Sequence, residues 1–398
     1  MFKVRGSYGV LGNENIGEYM YQTTMNRNNM TYSFGNQAVT GSAVSTFVDN
    51  NLAWEKKKTT NVGIDLAMFH NRLEFTVEWY MNKSEDLLYA VPVPAQAGVS
   101  NTSVTMNAAS MENSGFEFSA TYRNNDHALK YMVSANLSTL KNKVTSLGFG
   151  TESYITGAYK TEVGQEIGKF YGWVYEGIAR TQADLDNRVN DKGEPVSQPG
   201  ANVGDCLYKD INNDGIIDAN DQTVLGSGLP KINFGLSGRV EYKNFDLSIS
   251  TYGALNYHVS DDIYNSLNSC YGWANRDVAM ADANRWSEDG TTYLSSVPRT
   301  YAANNATLAW NDLFSERKIQ NAAYWKIANV ELGYNIPDKV FGGVVNGVRV
   351  YVSAQNLYTY TGYKGYNVDY AGGTFTPGYN FCSFPSARSF MAGLHFTF

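Results

Sequence analysis

Side chains alternate apolar and polar along this chain about ten times over, and the connections between the alternating runs are by turns very short and very long. Val62, Ile64, Leu66 and Met68 alternate with Gly63, Asp65 and Ala67. Beyond a turn at His70-Asn71, a second run sets Leu73, Phe75, Val77, Trp79 and Met81 against Glu74, Thr76 and Glu78. A period of two marks a strand with one apolar and one polar face. It recurs from Phe116 to Tyr122, across Arg123 to Asp126 into His127 to Leu140, and from Ile232 to Glu241 across Lys243-Asn244 into Phe245 to Ile249. It recurs again from Val330 to Ile336, through Pro337 to Asn346 into Val348 to Val352, and from Phe390 to Phe398. With Lys3 to Val10 these make about ten strands, each of roughly the 9 to 11 residues that a tilted strand needs to cross a bilayer.

The order of connections narrows the choice of fold. Short turns fall at His70-Asn71, Arg123 to Asp126, Lys243-Asn244 and Pro337 to Asn346. Long connections fill Leu11 to Thr59, Ser84 to Asn113, Lys141 to Leu229, Tyr257 to Ala322 and Tyr358 to Ala387. Walking back from Phe398 puts every short turn at one end of the strands and every long connection at the other. This is the pattern of an outer-membrane barrel, with short periplasmic turns and long extracellular loops. A two-sheet sandwich also alternates, but it would bury Asp65, Glu74, Glu78, Glu117, Arg239 and Glu241 against a second sheet at high cost. A water-filled lumen removes that cost. The expected fold is therefore all-β: an antiparallel transmembrane barrel portion of about ten strands. A secreted calcium-binding β-sandwich that holds glycans or a protein partner is the alternative.

Composition agrees and excludes other classes. Charged residues are only 17% of the chain and aromatic residues 14%, with Gly and Tyr abundant, as in many-stranded β proteins. A net charge of -7, with no basic run longer than Lys56-Lys57-Lys58, argues against nucleic acid. Cys206, Cys270 and Cys382 are odd in number and far apart, so they form neither a disulfide framework nor a zinc site. No stretch approaches the roughly 18 consecutive apolar residues of a membrane helix. The chain opens without a charged leader and apolar run, so it is expected either to stay inside the cell or to begin before Met1. Catalysis has no support: His70, His127, His258 and His395 are scattered, and no metalloprotease, hydrolase or phosphate-loop spacing occurs.

One stretch carries dense side-chain chemistry. From Gly204 to Pro230 the sequence reads GDCLYKDINNDGIIDANDQTVLGSGLP. It spaces Asp210, Asn212, Asp214, the Ile216 carbonyl, Asp218 and Asp221 as a calcium loop does, with Gly215 at the sharp turn. Asp221 stands where Glu is usual, and no helix enters, so an Asn/Asp/Gly turn without metal is the other reading. Placed in a long outer connection, calcium here would be structural.

Several blocks carry a resemblance. VRGSYGVLGNENIG, NLAWEKKKTTNVGIDLAMFHNRLEFTVEWY, GQEIGKFYGWVYEGIARTQADL, YKDINNDGIIDANDQTVLGSGLPKINFGLSG, AAYWKIANVELGYNIP and VRVYVSAQNLYTYTGYKGYNVD occur in order along nearly the whole chain. Together they resemble the C-terminal part of the SusC/RagA family of TonB-dependent outer-membrane transporters. The resemblance implies a 22-stranded plugged barrel, a SusD-like lipoprotein lid, TonB acting through a plug, and oligosaccharide or peptide cargo. Residues 1–398 are then expected to be a C-terminal barrel portion, a fragment without plug or N-terminal strands, located in the cell outer membrane.

Further sites follow from position. The terminal strand, with Phe396 and Phe398, has the pattern presented to the barrel-assembly machinery. Trp79, Tyr80 and Tyr89 near an outer strand end, and Tyr122 and Tyr131 near an inner turn, read as aromatic girdles against outer-membrane lipid. In the run from Phe170 to Tyr175, Tyr171 and Trp173 are candidate sugar-stacking residues, with loop packing the competing role.

Overall fold

The computed structural model describes residues 1–14, 18–19, 22–26, 31–44, 48–49, 52–92, 96, 103–269, 297–299, 310–337, 347–369 and 372–397. One antiparallel sheet dominates. Its strands are β1 (Phe2–Asn13), β2 (Glu55–Met68), β3 (Leu73–Pro92), β4 (Ser103–Asn124), β5 (Leu129–Thr139), β6 (Lys141–Leu147), β7 (Ile232–Tyr242), β8 (Phe245–Leu255), β9 (Tyr324–Ile336), β10 (Gly347–Thr361) and β11 (Ser389–Thr397). Each strand lies beside the one before it, except that β5 pairs with β7 while β6 folds back on β4. The sandwich alternative is thereby corrected: ten strands follow one path through a single sheet, and none of them crosses to a second packed layer.

Register explains why the alternation matters. Val4, Ile64, Val77, Phe118 and Leu137 stand opposite one another across five strands. Val240, Leu247, Leu332, Val352 and Ala392 do the same across another five. These rows lie open: Val4 is 61% exposed, Leu332 47% and Val352 53%. A continuous apolar face of this extent would be an aggregation hazard in water and is the normal outer face of a barrel in lipid. The core of ordinary type lies elsewhere, in the long connections, where Phe170, Tyr208 and Ile217 are fully buried.

The connections keep the expected order. Residues 69–72, 125–128 and 243–244 close one end, and the first of these turns puts Phe69, His70 and Asn71 in the left-handed region. Of the Pro337–Asn346 turn, all but Pro337 lies outside the described residues, as do Cys270 and Phe398. One long connection departs from the expectation. Much of Ser84 to Asn113 is strand, so β3 runs for 20 residues and β4 for 22, well past the expected 9 to 11. Above the apolar band both faces of these strands are polar or mixed, and the period-two signal that marks a strand disappears.

The remaining connections build a cap. Ser153–Thr156, Tyr159–Glu162, Lys169–Gly172 and Thr223–Gly226 form a four-stranded sheet. His258–Asp261 pairs antiparallel with Gln320–Asn321 of its own connection and parallel with Tyr379–Asn380 of the next, which knits two connections into one layer.

Candidate functional site

The charged face of the wall is neutralised by side chains that reach across strands. Arg5 lies over Gly63, where a Cβ would stand 3.0 Å from its Cζ, and so forms an ion pair with Glu78 on the next strand while its Nε stays 3.3 Å from Asp65. Arg349 repeats the device over Gly333, where a Cβ would collide with the guanidinium. Its Nε donates to Asp246 Oδ1 at 2.9 Å and a terminal nitrogen meets Glu331 at 2.7 Å. Arg123 pairs with Glu74 at 2.9 Å and Arg239 with Glu241 at 2.8 Å. Of the six charged residues assigned to the lumen from sequence, Glu117 alone takes part in none of these pairs. It stands in register opposite Glu78 and lines a cavity.

That cavity, of about 640 Å³, lies between the inner faces of β2, β3 and β4 and the cap. Its wall carries Asn61, Glu78, Tyr80, Asn82, Asn113 and Glu117. The Oδ1 atoms of Asn61 and Asn82 are buried there without a hydrogen-bond partner among the described residues. The lining is therefore rich in acceptors, which suits a ligand group that brings donors. Tyr80 is a correction to the girdle reading: it points inward and donates its hydroxyl to the Thr139 carbonyl at 2.9 Å. Trp79 is in register with Val62 and Phe116 on the outer face. Tyr122 and Tyr131 pack at 5.9 Å near the short turns. Tyr89 lies in β3, and its side chain is outside the described set.

A strap of residues 362–369 and 372–388 roofs the cavity through Gly372, Gly373, Thr374 and Pro377. It is pinned at two places. Asp369 accepts hydrogen bonds from Tyr252 at 3.0 Å and Tyr324 at 3.3 Å and forms an ion pair with Lys326, which is only 3% exposed. Asn380 donates to Asp261 Oδ2 at 3.0 Å and to the Tyr363 hydroxyl at 2.8 Å, while Tyr363 bonds the same carboxylate. No local sequence signal marks either pin, because Asp369 and Lys326 are 43 residues apart.

The acidic loop lies in the cap. Asp210 Oδ1 accepts from the Asn213 N–H at 2.7 Å and Oδ2 from the Gly215 N–H at 2.9 Å. Asp221, fully buried, accepts from the Ile211 N–H at 2.9 Å and the Asp218 N–H at 2.8 Å. Asp214 Oδ1 accepts from the Ile216 N–H, the Asn212 side-chain Oδ1 from the Asp214 N–H, and Asp218 Oδ1 from the Asn220 N–H. Burial opposes the charge on Asp210, but the Gly215 N–H, the Asn190 amide and the Asn213 N–H outweigh it and hold its pKa below the ordinary carboxylate range. Its contribution to the loop is thus present at neutral pH and is lost as the pH falls through that lowered value. In this arrangement no group of three or more His, Cys, Asp or Glu converges on a metal position among the described residues.

The aromatic run packs beside this loop. Trp173 donates its indole N–H to the Asp218 carbonyl at 3.0 Å and packs against Tyr208 with ring centroids 6.4 Å apart and tilted by 55°. Tyr171 pairs with Val224 in the cap sheet, under the Lys160 ammonium. Neither residue lines the 640 Å³ cavity. Phe396 lies on the outer face of β11, opposite Val348.

An apolar outer face, a charged inner face, short turns at one end and a folded cap at the other define an outer-membrane β-barrel wall. A family model described as TonB dependent receptor-like, beta-barrel matches residues 2–381, and the chain belongs to that family. It is 31% identical over 415 residues to TonB-dependent receptor P3 of Formosa agariphila, covering 100% of this chain and 39% of that protein. It is 26% identical to TonB-dependent receptor SusC of Bacteroides thetaiotaomicron, covering 100% of this chain and 37% of the relative. Among solved structures, that of the RagAB peptide transporter superposes with a TM-score of 0.79 at 25% identity, over 100% of this chain and 40% of the other. The chain thus spans about two-fifths of the length of these relatives.

Proposed function

We propose that the chain supplies wall and extracellular cap to a TonB-driven importer of oligosaccharides or peptides. It would work with a SusD-like lipoprotein lid, and with TonB acting through a plug region not contained in residues 1–398. The carrying observation is the acceptor-rich cavity between a charged inner wall and a pinned cap. The SusC relative is by name a TonB-dependent receptor and the RagAB relative a peptide transporter, which supports the transporter class and a peptide cargo. Binding and plug movement, rather than covalent chemistry, would do the work. The terminal strand with Phe396 and Phe398 would be the segment read by the barrel-assembly machinery. The test is growth on the cargo polymer as sole nutrient. Deleting the whole gene should abolish uptake, and the full-length gene should restore it. Residues 1–398 alone should not, because the two unpaired edges at β1 and β11 are costly in lipid. Restored uptake by residues 1–398 alone would refute this reading.

The acidic loop braces the cap, and calcium is its proposed structural ion, held by Asp210, Asn212, Asp214, Asp218, Asp221 and the Ile216 carbonyl. Ion binding would pull these oxygens from the amides they now accept. The affinity should therefore be weak, about 10⁻⁴ to 10⁻³ M as in extracellular modules. Calorimetry on the full-length protein should show binding heat that Asp214→Ala removes. Two flat, identical traces would end the idea.

A further inference from the structure

The 640 Å³ cavity carries a charge that its own lining does not balance. Glu78 and Glu117 stand directly opposite each other on β3 and β4, and among the described residues no lysine or arginine lines the cavity. Like charges directly opposite are destabilising, and a cation between them removes that cost. Arg5 answers only part of the need: it is shared between Glu78 and Asp65, and Lys3 reaches only Asp65, at 4.0 Å. Glu117 is exposed on the inner face, with Glu78 on one side and Ser138 on the other. It has neither an ion pair nor a hydrogen bond among the described residues.

The remaining acceptors continue from these carboxylates as a ladder. Side chains on one face of a strand recur every second residue, at about 6.8 Å, twice the strand rise of about 3.4 Å. In the row next to the carboxylates Asn61 is in register with Tyr80, and in the row after that Asn82 is in register with Thr59 and Asn113. The Oδ1 atoms of Asn61 and Asn82, both buried and without a partner among the described residues, thus belong to successive rows. Tyr80 crosses between them: its hydroxyl reaches the Thr139 carbonyl over Gly115, where a Cβ would stand only 2.9 Å from that hydroxyl. Its ring flanks the carboxylate row, and an aromatic face beside a cation adds to the attraction. An extended peptide presents N–H groups on one side at every second residue, which is the repeat of this ladder.

We infer that the cavity selects a basic peptide: a lysine or arginine side chain enters between Glu78 and Glu117, and the extended main chain beside it donates to Asn61 and Asn82. The inference rests on the cargo reading of this cavity and narrows it to peptides that carry a cation. Glu117 sets the preference, since Glu78 already has Arg5 as a partner.

The experiment uses the full-length protein in mild detergent and measures equilibrium binding of acetyl-Ala-Ala-Lys-Ala-Ala-amide, of its glutamine counterpart and of a glucosamine trimer. Wild type should bind the lysine probe roughly ten-fold more tightly than either of the others, the factor expected for one charge-assisted contact. Glu117→Gln should abolish the preference for lysine over glutamine, and Glu117→Asp should keep part of it. Folding is checked by the shift of the unheated barrel on a gel. Glu117→Gln should keep that shift to at least the wild-type temperature, because it removes the like charge opposite Glu78. Equal binding of the lysine and glutamine probes by wild type, binding of neither, or a lysine preference that survives in Glu117→Gln would overturn the inference. Tighter binding of the glucosamine trimer than of the lysine probe would also overturn it, in favour of an amino-sugar cargo. The importer reading is decided separately by the growth test: uptake restored by the full-length gene, with no lysine preference in binding, keeps the importer and removes the basic-peptide site.

Discussion

Replacing Arg349 by leucine is expected to destabilise the wall by about 3–5 kcal/mol, because it strands two carboxylates at once. Asp246 is 2% exposed and takes its compensation from the Arg349 guanidinium, with the Asn335 amide adding a longer contact of 3.4 Å. Glu331 shares the same guanidinium at 2.7 Å. No other cation pairs with Asp246 among the described residues. The measurement is the temperature at which the full-length barrel loses its heat-modifiable form. Arg349→Leu combined with Asp246→Leu should recover much of the loss, since a buried pair replaced by apolar side chains of similar volume is often tolerated. Glu331→Gln should cost much less, because the amide still accepts a hydrogen bond and Arg349 keeps its main partner. If Arg349→Leu melts with the wild type, the ion-pair account of the inner face is wrong.

The Arg349 arrangement also shows what the sequence conveyed and what it did not. Period-two alternation is a property of neighbouring residues, so the strands, their faces and the order of short and long connections could all be read from it. The inner-face charges were equally plain. Their pairing was not, because Arg349 and Asp246 are 103 residues apart and meet only through the register of β8, β9 and β10. Gly63 and Gly333 gave no hint in sequence that arginines lie across them. Tyr80 was legible and misread: parity with Trp79 already places it on the other face. The upper halves of β3 and β4 were not legible, since alternation fails where both faces are polar or mixed. The acidic loop illustrates a different limit. Its spacing lists potential oxygen ligands, but whether Asp210 and Asp221 face an ion or accept from amides is decided by backbone geometry. The cap was least legible of all, because its bridges, such as Trp173 to Ser315 and Ser260 to Tyr379, join distant connections.

The strap over the cavity should come loose from either of two unrelated changes, and the agreement of the two is the test. Asp369→Ala leaves the Lys326 ammonium, 3% exposed, without its carboxylate, and removes the acceptor shared by Tyr252 and Tyr324. Stranding a buried charge costs about 3–5 kcal/mol, more than a surface connection can absorb locally, so the strap should leave its seat rather than the wall unfold. Gly228→Val acts from the other side: a Cβ there would collide with the Pro377 carbonyl, which is backbone and cannot rotate away. The residues that pack on Phe375, including Tyr154, would then be uncovered. In both variants brief proteolysis of the full-length protein should cut between Tyr366 and Phe384 about ten-fold or more faster than in wild type, while the melting of the barrel shifts little. Local release and global stability are separable quantities when a segment has its own opening equilibrium. Asp369→Asn should fall between, since the amide keeps an acceptor for the two tyrosines but not the charge for Lys326. Cleavage at the wild-type rate in both Asp369→Ala and Gly228→Val would show that the strap is held by its remaining bonds to Asp261. The roof of the cavity would then have to be treated as part of the cap rather than as a separate element.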